Sequence, residues 1–304
     1  MAQRTFTVNE QGQRLDKFLC QALTLSRREA LRLLENGLVK LNGHTVSRRD
    51  KGRLLEPRSV IELENPDAVL GGLITPEPEA PLYLLAEGNG YVVVNKAAGQ
   101  AVMPLRTNET GTVLNALVAR YPQLQDVGEG GLRSGVVHRL DTDTSGTLVV
   151  AIRDDTWLRL RRAFKEHRTT KLYYALVHGQ LWGVGQENMH LTITQHRPAK
   201  VSVVVTPTSS SRHCDLRWRA LETFEKATLL EVSLGTGFLH QIRAMFAHKG
   251  HPVIGDKTYG TETDRFGAAR QMLHAASIRV EDVEAQSPNP ADFREALDCL
   301  KSHS

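Results

Sequence analysis

The twelve residues from Gly135 to Gly146 concentrate much of the reactive chemistry of this chain: Gly-Val-Val-His138-Arg139-Leu140-Asp141-Thr142-Asp143-Thr144-Ser145-Gly146. An apolar pair leads into His138 and Arg139, then an aspartate, then turn formers. A carboxylate set beside a cation has the makings of a nucleophile or a general acid–base group. The same residue types also build an ordinary turn, because Asp and Ser side chains hydrogen-bond to nearby backbone. A second concentration runs from Leu234 through Gly235, Gly237, His240 and Arg243, and on to His248, His251, Asp256 and Tyr259. His240 and Arg243 are three apart, hence on one face of a helix. Gly235 and Gly237 permit close approach of the backbone to a ligand or another strand. His240, His248, His251 and Asp256 raise the alternative of a metal-dependent hydrolase, yet their spacing matches no zinc signature. Capping and packing of a helix end accounts for them more simply. No metal and no cofactor is expected.

These residues need a scaffold, and hydrophobic periodicity supplies its outline. Short β-patterned runs occur at Leu82–Ala86, Tyr91–Asn95, Thr147–Ile152, Lys171–Val177, Val201–Val205 and Leu229–Leu234. Helical patterns intervene at Thr112–Arg120, Asp155–His167 and His240–His248, and a short helix over Ala291–Leu300 follows the Ser-Pro-Asn-Pro stretch. The two kinds do not alternate as in a doubly wound sheet, so the expected class is mixed α+β. Upstream, Leu15, Phe18, Leu19, Ala22 and Leu23 recur at helical spacing. Ser26 with Glu29 reads as a capping box opening a second helix, whose Ala30, Leu33 and Leu34 face inward. Gly37 stops that helix, and Asn42-Gly43 marks a hairpin between two short strands. Residues 65–81, rich in Pro, Gly and Glu, read as a linker. The expected organisation is therefore a small unit at 1–64, a linker at 65–81 and a larger unit at 82–304.

Composition removes several classes. No run approaches the ~18–20 apolar residues of a membrane helix, and the N-terminus lacks the apolar core of a secretory signal. Three widely spaced cysteines argue against a disulfide scaffold and against a cysteine-based zinc site. A cytoplasmic, monomeric protein is expected, with no membrane partner. Residues 1–64 carry 12 Lys+Arg against 8 Asp+Glu; taken from totals of 38 and 34, this leaves 26 of each in the remainder. The whole formal excess of +4 thus sits in the first fifth of the chain. A basic module on a neutral body points to a polyanion partner; a solvated basic surface is the plainer reading.

The first segment resembles the alpha-L RNA-binding domain. The matching residues are Gln13-Arg14-Leu15-Asp16-Lys17-Phe18-Leu19, Ser26-Arg27-Arg28, and Gly37-Leu38-Val39-Lys40-Leu41-Asn42-Gly43. The resemblance implies two helices with a small sheet, and a phosphate-contacting face lined by Arg27, Arg28, Arg32 and Lys40. The rest resembles the RluA-type pseudouridine synthases. Their His-Arg-Leu-Asp and Thr-Ser-Gly signature is matched by His138–Asp141 and Thr144–Gly146. Their Lys-x-Tyr-x-Ala-x-Val-x-Gly strand is matched by Lys171–Gly179, their His-Gln-Ile-Arg by His240–Arg243, and their His-Pro-Val-x-Gly-Asp-x-x-Tyr-Gly by His251–Gly260. Leu273-His274-Ala275 matches a late motif, so the likeness spans about residues 82–280 in the family's order. The chain departs from the family at Ala97, at Met103 and at Phe238, where members commonly carry Pro, His and Arg.

The resemblance implies a central mixed, mostly antiparallel sheet flanked by helices and loops, and isomerisation of uridine to pseudouridine in structured RNA. Large-subunit ribosomal RNA is the expected substrate, transfer RNA the alternative. A non-catalytic RNA-binding or ribosome-assembly factor is the competing class. On this reading Asp141 is the catalytic carboxylate, acting by attack or by assisting proton removal, and Arg243 is its salt-bridge partner. Tyr173 is a stacking ring and candidate proton acceptor. Arg139 and His240 are expected to contact RNA, with further help from basic residues that include Arg159, Arg161, Arg162, Lys165 and Arg168. The run Arg159–Arg168 is otherwise the solvated face of a helix.

Overall fold

The computed structural model describes residues 3–9, 11–23, 25, 27–64, 73–196, 198–260 and 266–302. The side chains of Arg28 and Arg32, and all of Ser26, lie outside the described residues, and so does that part of the expected phosphate face and capping box. Two sheets organise the chain. The first is fully antiparallel, in the order β1-β4-β2-β3, from β1 (Gln3–Thr7), β2 (Val39–Leu41), β3 (His44–Val46) and β4 (Val60–Glu64). It packs with α1 (Leu15–Ala22) and α2 (Arg27–Glu35). Leu15, Leu19, Ala30, Leu33 and Leu34 close a core with Val39, Ile61 and Leu63. Asn42 and Gly43 both take positive φ, 51° and 79°. That is the backbone of a tight hairpin turn whose twist matches its strands.

The second sheet has ten strands. They are β5 (Leu84–Gly88), β6 (Tyr91–Lys96), β7 (Ser145–Ala151), β8 (Thr169–His178), β9 (Val184–His196), β10 (Ala199–Val204), β11 (Arg212–Thr223), β12 (Ala227–Leu234), β13 (Leu273–Val280) and β14 (Val283–Gln286). Their order is β10-β9-β11-β12-β8-β13-β7-β6-β5, with β14 paired to β13. Every pairing is antiparallel except β13 with β7. The helices are α3 (Val113–Arg120), α4 (Asp154–Lys165), α5 (Gln241–His248) and α6 (Ala291–Lys301). The class is α+β, as expected. All seven residues of β7 are buried, which explains its continuous apolar run. A strand enclosed on both faces has no solvent side to make polar.

Strands β9 and β11 go beyond the runs read from sequence. β11 alternates cleanly, burying Cys214, Leu216 and Trp218 while Arg217 and Arg219 face out. β9 is largely polar, so its pairing with β10 and β11 rather than its own composition makes it a strand. The linker reading also needs revision. Residues 65–72 lie outside the described residues, but Ile74 is fully buried in the core of the large sheet. Gln125 donates to the Ile74 carbonyl at 2.7 Å, and Asn115 donates to that of Thr75 at 2.8 Å. The Glu77 amide donates to the Asn115 carbonyl at 3.0 Å. Pro and Gly content marked this stretch as irregular. Irregular chain that spends its backbone hydrogen bonds on the core is part of the fold.

Candidate active site

The turn before β7 carries Asp141, and its shape depends on what holds its backbone. The Thr144 amide donates to the Asp141 carbonyl at 3.1 Å. Lys96, at the end of β6 and only 1% exposed, donates to the carbonyls of Ala97 (2.8 Å), Gln100 (2.7 Å) and Thr142 (2.7 Å). Burial, with the neighbouring Arg270 charge, draws the Lys96 ammonium down to about 7, yet three carbonyl acceptors use all three of its hydrogens. Beyond the turn, Gly146 has φ +119°, and a Cβ there would lie 2.2 Å from the Ala275 carbonyl. Only glycine lets β7 come this close to β13. The turn expected from sequence is real, and it presents Asp141 rather than hiding it: the side chain is 21% exposed.

Arg243 reaches this carboxylate from α5. Its Nη1 donates to Asp141 Oδ2 at 2.9 Å, and it forks onto Asp256 at 2.6 and 2.9 Å. Nη2 also donates to Thr258 Oγ1 at 3.2 Å. Burial opposes the charge of this guanidinium, but Asp256 and Asp141 outweigh it and hold its pKa above the ordinary value. The planar fork of arginine is suited to serving two carboxylates at once. Asp256, singled out from sequence as a candidate metal ligand, is thus a holder of Arg243.

The neighbouring His240 begins α5 with φ 52°, and its Nε2 stands 3.8 Å from Asp141 Oδ2. Tyr259 Oη accepts from the Val201 amide at 2.8 Å and lies 3.0 Å from His240 Nδ1. Tyr259 Oη can give its proton to Nδ1 or accept one from it, and in either case Nε2 is the ring nitrogen that faces Asp141. His240 was expected to contact RNA; the structure sets it against the carboxylate. Three residues of the metal alternative have partners within the protein. Asp256 is engaged by Arg243, His240 by Tyr259, and His251 Nδ1 by the His178 carbonyl at 2.8 Å. Among the described residues, no group of three or more His, Cys, Asp or Glu is arranged to hold a metal ion.

Tyr173 comes from β8, across β13 from the Asp141 turn. Burial first, then the Asp141 charge, push its phenol upward. At neutral pH it keeps its proton, so a standing phenolate is no part of this site. His138 accepts from the Val149 amide through Nε2 at 2.9 Å and stacks on Phe164. Burial, with the Lys171 charge, draws it down to about 3, so it is a neutral support. Gly235 behaves as expected, since a Cβ there would fall 1.8 Å from the Asp215 carboxylate.

Asp141, Tyr173, Arg243, Arg139 and His240 all line one groove of about 1020 Å³. Phe238, standing where the family commonly has a cation, lines it too, as do Arg161, Arg162 and Lys165 of α4. Part of the α4 basic face therefore borders the site. Asp141, Arg243 and Tyr173 thus converge from three separate stretches of chain, in an order that matches a known family. The model of RNA pseudouridylate synthase matches residues 90–248, and that of the S4 domain matches residues 13–50. The chain belongs to the RNA pseudouridylate synthase family. It is 36% identical to an uncharacterized RNA pseudouridine synthase of Chloroflexus aurantiacus, over 96% of this chain and 92% of that one. It is 33% identical to ribosomal large subunit pseudouridine synthase D of Haemophilus ducreyi, again over 96% and 92%. Human RNA pseudouridylate synthase domain containing 1 superposes with a TM-score of 0.58 at 26% identity, covering 71% of this chain and 86% of that structure. The chain is an isomerase that converts uridine to pseudouridine in RNA, with an N-terminal S4 (alpha-L) domain.

Of the residues expected on the S4 phosphate face, Arg27 is exposed, 3.5 Å from Asp16, and Lys40 pairs with Glu64. Lys96, Asp256, Thr258 and Tyr259 were missed as parts of the site. Their legible signs were the motif His251–Gly260, which holds Asp256, Thr258 and Tyr259, and a lysine closing the apolar run Tyr91–Asn95. Among the described residues no helix is long and apolar enough to cross a membrane.

Proposed function

We propose that this synthase modifies uridine in large-subunit ribosomal RNA, with Asp141 as its catalytic carboxylate. The reaction breaks the bond between ribose C1′ and uracil N1, turns the base, and joins C1′ to C5. The C5 proton is then lost and N1 gains one, so no redox partner or group donor enters. One carboxylate at the ribose suffices to start it, by attack on C1′ or by assisting removal of the neighbouring proton. The carrying observation is the 2.9 Å ion pair from Arg243 to Asp141 on the lining of the groove. In this reading Arg243 orients the carboxylate and Tyr173 stacks on the extruded base. Taking a uridine out of its stack costs a few kcal/mol. Arg139 and the α4 cations offset that cost on phosphates, with Arg27, Arg28, Arg32 and Lys40 of an N-terminal unit spanning about residues 1–64. A ribosomal substrate is supported by the synthase D relative, whose name specifies the large subunit. The reading needs neither a membrane nor a second subunit, and puts the reaction in the cytoplasm.

Asp141→Asn is expected to abolish pseudouridine formation while RNA affinity stays within about twofold, since the carboxamide keeps the side chain's shape. Turnover near wild type would remove Asp141 from its role. Mapping pseudouridines in cellular RNA with and without the protein tests the substrate. A missing site in large-subunit ribosomal RNA supports the reading, and one confined to transfer RNA overturns it.

A further inference from the structure

Three consecutive carbonyls follow the Asp141 side chain, and each is held. That of Asp141 is taken by the Thr144 amide, and that of Thr142 by Lys96 and the Gly99 amide. The Asp143 carbonyl accepts from Arg270 Nη1 at 3.0 Å. Arg270 lies just before β13 and is buried. Its other bonds reach both ways. Nη1 also serves the carbonyls of Gln271 and Leu273, and Nη2 donates to Ser145 Oγ at 3.2 Å. Nε and Nη2 fork onto the Asp292 carboxylate at 2.6 and 3.0 Å. Every N–H of the guanidinium has an acceptor, and the only charge that balances it among these partners is Asp292.

Asp292 stands in the first turn of α6, 48% exposed on its side chain, and is no part of the groove's lining. Its helix is seated firmly. Phe293, Ala296 and Leu300 are buried against Leu176, Ile254 and Met272. The side chain of Gln271, next to Arg270, donates to Thr144 Oγ1 at 3.2 Å. The C-terminal helix and the turn that presents Asp141 are therefore joined through one guanidinium. A buried arginine without its carboxylate does not stay where it is, because an uncompensated charge draws in water or swings outward. Its hold on Asp143 would go with it.

We infer that Asp292 is a positioning residue for the isomerisation, acting through Arg270 on the backbone of the Asp141 turn. It touches neither substrate nor the catalytic carboxylate. It fixes where that carboxylate stands by keeping a buried cation on the Asp143 carbonyl. The inference rests on the reading that Asp141 performs the chemistry.

The test uses the full-length protein. Asp292→Asn is expected to lower kcat about tenfold with KM within about twofold, since small misplacements of a reacting group cost rate rather than binding. Amide exchange over residues 141–146 is expected to quicken. Arg270→Lys keeps the charge but has no fork to span Asp143 and Asp292, so it is expected to behave like Asp292→Asn. Asp292→Glu is expected to restore most of the rate. Leu117→Ala, a core change in α3, serves as the comparison: it lowers Tm and leaves kcat within about twofold. The inference is overturned if Asp292→Asn keeps wild-type kcat, if exchange over 141–146 is unchanged, or if its rate loss is matched by Leu117→Ala at equal loss of Tm. Failure of the underlying reading looks different, for Asp141→Asn would then stay active while the exchange data still report the clamp.

Discussion

At the scale of single residues the site is a matter of charges held in low-dielectric surroundings. Arg243 is shared between two carboxylates that differ in exposure, with Asp256 sealed and Asp141 open to the groove. The sealed partner fixes the cation, and the open one is left available for chemistry. His138 shows the opposite logic, a group kept neutral by burial. Its pKa of about 3 lies below the unfolded value of 6.5, so the unfolded chain binds a proton in this window that the folded one refuses. Its stabilisation is complete above pH 6.5 and is lost as pH falls toward 3. His138→Gln, which preserves an acceptor for the Val149 amide, is expected to flatten this loss. Urea midpoints at pH 7 and pH 4.5 check it: the drop on acidification is smaller in the variant than in wild type. Equal drops would mean that other groups carry the acid sensitivity.

At the scale of elements, the informative residues are those whose neighbours in sequence are not their partners. Asn115 caps α3 together with Thr112, and it also donates to the carbonyls of Thr75 and Glu109 at 2.8 and 2.9 Å. Asn115→Ala removes a cap and two hydrogen bonds of a buried group, expected to cost about 2–3 kcal/mol. Guanidinium unfolding measures it, and a loss under about 0.5 kcal/mol would show that water replaces the side chain. The helical pattern over Thr112–Arg120 was legible because its apolar residues recur along the chain. The anchoring of residues 73–77 was not, because a Pro- and Gly-rich stretch looks alike whether it crosses solvent or a core. Neither β11 nor β9 was read from sequence; β11 carries a readable alternation in Cys214, Leu216 and Trp218, whereas β9 is strand by pairing. In the site, Asp141, Arg243 and Tyr173 stood out by their motifs. The motif of Asp256 stood out too, but its pairing with Arg243 did not, and Arg270 was not read at all, since ion pairs 13 and 22 residues long leave no periodic trace.

At the scale of the molecule, the core of the small sheet and that of the large sheet share no residue, and the formal charge excess belongs to the first of them. Deleting residues 1–64 is expected to weaken RNA binding and flatten its dependence on salt. Each phosphate that is no longer neutralised lowers the slope of log K against log salt by about 0.7–0.9. Binding isotherms between roughly 50 and 300 mM salt would test this over the range where counterion release dominates. An unchanged slope would assign phosphate neutralisation to the groove alone. The strand order has a consequence for synthesis. Among the described strands, β13 alone joins the β5–β7 block, which adjoins the Asp141 turn, to the β8–β12 block that carries Tyr173. It spans Leu273–Val280 in a chain of 304 residues. A nascent polypeptide thus keeps these two blocks unjoined until Leu273–Val280 has been made.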